Sequence, residues 1–100
     1  MNSEIMYKKL SELEEEKEYE ILDYNFKFVE SLKKYILNVT INVDGLVCSV
    51  GLPDKSRRTF VALSRSEQDE IIGQKLFHQL KIFTDKFGKI VTYYDVKFTQ

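Results

Sequence analysis

Between Lys34 and Leu52 the chain reads KYILNVTINVDGLVCSVGL, and the Asp44-Gly45 dipeptide at its centre leaves little choice of shape. Both central residues of a two-residue hairpin turn need positive φ, and Asp-Gly between two β-prone runs is the pairing that supplies it. Before the turn, Tyr35, Leu37, Val39, Ile41 and Val43 alternate with Ile36, Asn38, Thr40 and Asn42. The period of two predicts a strand with the first set towards the core and a polar strip of Asn38, Thr40 and Asn42 on the other side. Leu46 to Leu52 is the returning strand, closed by Gly51 and Pro53.

The flanking segments extend this pattern. In Glu18–Glu30 the apolar side changes between Ile21 and Leu22: Tyr19 and Ile21 share one face, while Leu22, Tyr24, Phe26 and Phe28 share the other. A slip of one residue within a strand predicts a bulge or sharp bend, and long bent first strands are typical of small closed barrels. Upstream, Ile5, Met6, Leu10 and Leu13 fall at helical spacings opposite a row of Glu, which predicts a helix from Ser3, its N-cap, to Glu16. Downstream, Asp54–Arg58 reads as a polar turn and Thr59–Leu63 as a further short strand. Ser64 or Ser66, each followed three residues later by Glu67 or Asp69, then opens a short helix ending near Gly73. Two last strands are expected at Lys75–Phe83 and Lys89–Phe98, joined through Gly88, with Ile90, Thr92, Tyr94, Val96 and Phe98 inward.

With 100 residues, 43% of them hydrophobic and 13% aromatic, the chain supplies one core. The expected organisation is an N-terminal amphipathic helix over residues 1–17 on a barrel over residues 18–100. One cysteine, Cys48, precludes an internal disulfide, and no Cys/His cluster has metal spacing. Met1–Glu4 lacks the basic-then-apolar pattern of a secretory signal, and no apolar run is long enough to span a membrane, so a cytoplasmic or nuclear location is expected. The net charge of −1 conceals an asymmetry: residues 1–20 hold seven Glu against three Lys, so the remainder is mildly basic.

No residue pattern points to catalysis. His78 is the single histidine, within a strand and without a recognisable Ser, Cys or Asp partner. Cys48 reads as a small buried hydrophobe. The run Glu12-x-Glu14-Glu15-Glu16-x-Glu18 would point around a helix rather than converge, as a solvated face does. There is no glycine-rich phosphate loop, and Asn38-Val39-Thr40 matches a glycosylation sequon in a strand, by chance. The expectation is a protein that is not an enzyme and needs neither metal nor cofactor.

The element order (helix, three strands, short helix, two strands) predicts a mainly β protein: a five-stranded, OB-fold-like antiparallel barrel with a helix between its third and fourth strands. The chain also resembles small single-strand-binding OB proteins encoded by viruses and mobile elements of insects. Leu10-x-x-Leu13, Tyr19-x-Ile21 and Leu52-Pro53 followed by Arg57 and Arg58 carry the likeness, over about half the chain. It departs from them in lacking a strongly basic first loop. Single-strand binding needs cations that follow phosphates and aromatic faces for bases. Lys33, Lys34 and Tyr35 lie beside the first loop of the barrel; Lys55, Arg57, Arg58 and Phe60 follow its third strand; Lys86, Phe87 and Lys89 lie in its last loop. These ten residues are the expected surface for DNA or RNA, held without sequence readout, provided that one groove gathers them. The alternative is a protein-interaction or oligomerising module, whose acidic N-terminal helix would dock to a partner or a second copy.

Overall fold

The structure, a computed structural model, describes residues 5–100. Its strands are β1 (Met6–Lys8), β2 (Tyr19–Val29), β3 (Lys34–Val43), β4 (Leu46–Gly51), β5 (Lys75–Thr84) and β6 (Ile90–Thr99). Two helices, α1 (Asp54–Val61) and α2 (Arg65–Asp69), separate β4 from β5. The strands form a single curled sheet, in the order β1-β4-β3-β2-β5-β6. The protein is thus mainly β, with six strands rather than five.

The Asp44-Gly45 hairpin forms as its dipeptide requires, with φ of 50° and 88° at the two residues. Asn42 secures the turn by accepting the Gly45 N–H on its side-chain oxygen at 2.8 Å. Leu37, Val39 and Ile41 of β3 face Cys48 and Val50 of β4 at the centre of the core, all with no exposed surface. Removing side chains of this size from water contributes about 1.5–3 kcal/mol each. Tyr35, expected inward, lies beyond the edge of this core and is exposed; Asn38, expected outward, is buried on the opposite face.

The phase change in β2 is a bulge. Ile21 pairs with Ile41 and Asp23 with Thr40, leaving Leu22 as the extra residue. At the same point Ile21 exchanges strands: its N–H donates to Gln74 and its carbonyl accepts from Gly73, at 2.8 and 2.9 Å. β2 therefore pairs with β3 along most of its length and with β5 only at Tyr19 and Glu20. Tyr19 and Ile21 before the bulge are buried, while after it the rings of Tyr24 and Phe26 pack against Phe60.

Two expected elements are corrected. The helix over residues 1–17 is absent among the described residues, Ser3 lying outside them. Met6–Lys8 pairs in parallel with Cys48–Val50 of β4, and Leu10–Glu12 is one turn of 3₁₀ helix. The i, i+3 spacing of Leu10 and Leu13 suits a 3₁₀ turn as well as an α-helix, and both side chains are buried. The main-chain edge of β4 gives the preceding segment hydrogen bonds that a short isolated helix lacks. Thr59–Leu63 does not form a strand, nor Asp54–Arg58 a turn: most of both lie in α1. Asp54 in its first turn sits three and four residues before Arg57 and Arg58, the spacing at which a helix pairs opposite charges. Tertiary burial of Phe60, 1% exposed, overrides the β-propensity around it.

β5 and β6 are longer than the core they cover. Leu76, His78, Val96 and Phe98 pack inward, whereas the outer half of the hairpin projects as an arm on which Ile82 and Ile90 are 67% and 70% exposed. Thus Tyr94, Val96 and Phe98 face the core as expected, and Ile90 and Thr92 do not. The molecule measures 53 × 30 × 28 Å.

Candidate nucleic-acid interface

α1 and the β2–β3 turn bring together three of the expected cations. Asp54 accepts from Arg57 at 3.0 Å and from Arg58 at 3.3 Å, and the Lys34 ammonium lies 3.8 Å from it. Hydrogen bonding from Arg57, reinforced by the charges of Lys34 and Arg58, holds the Asp54 carboxyl below its ordinary value. Three cations around one carboxylate leave a net positive cluster. Tyr35 stands beside it and packs edge-on against Phe28, ring centroids 5.1 Å apart. Lys34, Tyr35 and Arg57 line one shallow pocket with Leu32, Ile36 and Leu52.

The other expected residues lie elsewhere or are otherwise engaged. Lys33 occupies the left-handed region at φ 53° and pairs with Glu30 at 2.7 Å. Lys55 lines a separate cavity between α1 and β6. Phe60 is a core residue, so no base stacks on it. Lys86, Phe87 and Lys89 sit on the β5–β6 turn, which Asp85 organises by accepting the N–H groups of Phe87 and Lys89. Since β2 and β5 run antiparallel from their shared rung at Tyr19 and Leu76, the β2–β3 and β5–β6 turns leave that rung in opposite directions. Lys34, Arg57 and Arg58 do meet, and Lys86, Phe87 and Lys89 form a separate tip.

The strand register shows a surface that sequence reasoning found only in part. Cross-strand partners share a face, so Tyr7 and Ser49 align with Thr40, Gly51 and Asn25 with Asn38, and Lys27 with Ile36. All lie opposite the core. The floor of this face is made of small or amide side chains, and a Cβ on Gly51 would stand 3.4 Å from Asn38 Oδ1 and 3.5 Å from Ile36 Cγ2. Tyr7 rises from it, 69% exposed, with Lys27 Nζ 5.1 Å from its ring centroid. Lys34, paired with Val29, continues the same face to the Asp54 cluster. Asp23, paired with Thr40, stands towards the far end, where Asp44 of the hairpin turn is engaged by Lys17 at 3.4 Å. The outward strip of Asn38 and Thr40 was legible from alternation; Tyr7 was not, because its segment carried a helical spacing. Lys27 was marked only by its outward phase after the bulge.

His78, by contrast, has no exposed surface, and neither ring nitrogen has a hydrogen-bond partner. Cys48 is equally buried. The exposed acids Glu15 and Glu16 serve the fold: they accept from the Leu80 N–H and the Gln79 amide, both at 2.6 Å. No family model matches the chain, and neither a curated protein nor a solved structure matches it.

Proposed function

We propose that the protein binds single-stranded DNA or RNA, without reading sequence, on the outward face of β1, β4, β3 and β2. The observation that carries this reading is an exposed ring, Tyr7, on a flat polar floor that ends in the Lys34, Arg57 and Arg58 cluster. Base stacking on an aromatic side chain contributes about 1–3 kcal/mol, and guanidinium and ammonium groups follow the phosphates. From Thr40 to Lys34 the face extends roughly 20 Å, at about 3.4 Å per residue, which suits the short end of the roughly 4–16 nucleotides an OB barrel covers. The finer fold assignment belongs to the same proposal: β2 to β6 with the intervening helices follow the OB order, with β1 standing beside β4 and the barrel left open.

A labelled oligonucleotide titrated at low salt tests the reading. Tyr7→Ala should weaken binding by about tenfold or more. Arg57→Glu with Arg58→Glu should abolish it, and log K should fall against log salt by about 0.7 for each phosphate contacted. Lys89→Glu, at the remote turn, should leave affinity unchanged. No binding at low salt, or binding indifferent to the two arginines, rejects the proposal.

A further inference from the structure

We propose that two copies of the chain associate through the outer half of β6, antiparallel about a twofold axis at Thr92. Among the described residues β6 is the last strand of the sheet, and one row of its main-chain N–H and C=O groups has no strand of them beside it. The cavity against α1 reaches along β6 only as far as Tyr93, leaving Ile90, Val91 and Thr92 clear. The arm is apolar on both faces. Ile82 and Ile90 are exposed on the side that continues the core, and Phe83 packs edge-on against Tyr93 on the other, centroids 5.8 Å apart. Soluble chains block or cover such an edge.

The sequence of the edge is complementary to itself. With Thr92 opposite its own copy, Val91 meets Tyr93, Ile90 meets Tyr94, and Lys89 meets Asp95, each pair occurring twice by symmetry. Aromatic with β-branched partners and opposite charges are the favourable cross-strand pairs. Among the described residues neither Lys89 nor Asp95 makes an ion pair within the chain. A twofold at Val96 would set Asp95 against Lys97, but both halves of its ladder would run along the cavity beside α1, whereas the twofold at Thr92 sets the clear residues Ile90 and Val91 against Tyr94 and Tyr93 at the end of that cavity. On the edge strand itself Ile90 and Tyr93 are 70% and 41% exposed. The dimer joins two six-stranded sheets edge to edge and leaves the face bearing Tyr7 uncovered.

Sedimentation velocity of the full chain over a wide concentration range, without nucleic acid, tests this independently of the binding reading. A monomer–dimer equilibrium is expected. Asp95→Lys sets two lysines opposite each other twice and should raise the dissociation constant by about tenfold. Adding Lys89→Asp to that variant should restore the parent value. Both positions are at the surface, and circular dichroism confirms that the variants fold. A chain that stays monomeric at the highest attainable concentration overturns the proposal, as does a dimer that Asp95→Lys leaves unchanged or that the double reversal fails to restore.

Discussion

Phe60 lies with its ring centroid 5.0 Å from Tyr24, 5.9 Å from Phe26 and 6.2 Å from Phe98, joining α1 to β2 and β6. Phe60→Ala should therefore cost about 3–5 kcal/mol in a denaturant titration. Phe87→Ala, at a position 83% exposed, should change stability by less than about 0.5 kcal/mol. The sequence placed both rings among candidate stacking surfaces, because a phenylalanine carries no local mark of whether it will be covered. Asp54 lends itself to a finer test. Its carboxylate competes with phosphate for Lys34, Arg57 and Arg58, so Asp54→Asn should tighten oligonucleotide binding by several-fold if those cations hold the ligand. The same substitution has a pH signature. The folded pKa lies below the ordinary 3.8, so the stabilisation is present above that value and lost as pH falls through the folded one. Thermal melts of the Asn variant should lose that part of the decline below about pH 4.

Among the elements, those written in a simple period were legible and those decided by neighbours were not. The Asp44-Gly45 hairpin, the bulge at Leu22 and the cap at Ser64 follow from alternation and turn chemistry within a few residues. At Ser64 the hydroxyl accepts the Glu67 N–H while the Glu67 carboxylate accepts the Ser64 N–H. These bonds, the backbone one first, hold the Glu67 carboxyl below its usual range. Ser64→Ala should cost about 1 kcal/mol, read from the shift in denaturation midpoint. The segment from Ile5 to Leu13 misled because one spacing serves both an α-helix and a 3₁₀ turn, and the free edge of β4 decided between them. In α1, Thr59, Phe60 and Val61 carry strand propensity, yet the Asp54, Arg57 and Arg58 pairing and the burial of Phe60 prevail.

On the scale of the whole molecule, β2 pairing on both sides of its bend was foreshadowed by its change of phase. The directions of the two hairpin turns were not, since they depend on which rung β2 shares with β5. That register sends the turns bearing Lys89 and Lys34 in opposite directions from the shared rung. It also sends the β5–β6 arm past the core, where hydrogen exchange offers a direct reading. At low concentration the main-chain amides of Ile90–Thr92 on the open edge should exchange fast while those around Leu76 and Val96 stay protected. Raising the concentration should slow exchange on the arm alone if β6 meets β6.

β1 supplies three residues and its parallel ladder to β4 spans three registers, yet among the described residues it delivers the only ring on the outward face of β1, β4, β3 and β2. The ring on which the proposed binding depends is thus hinged to the shortest strand of the sheet. When that strand peels away, ligand grip fails while the melting curve stays unmoved, so affinity becomes the more sensitive gauge of fraying at the start of the chain.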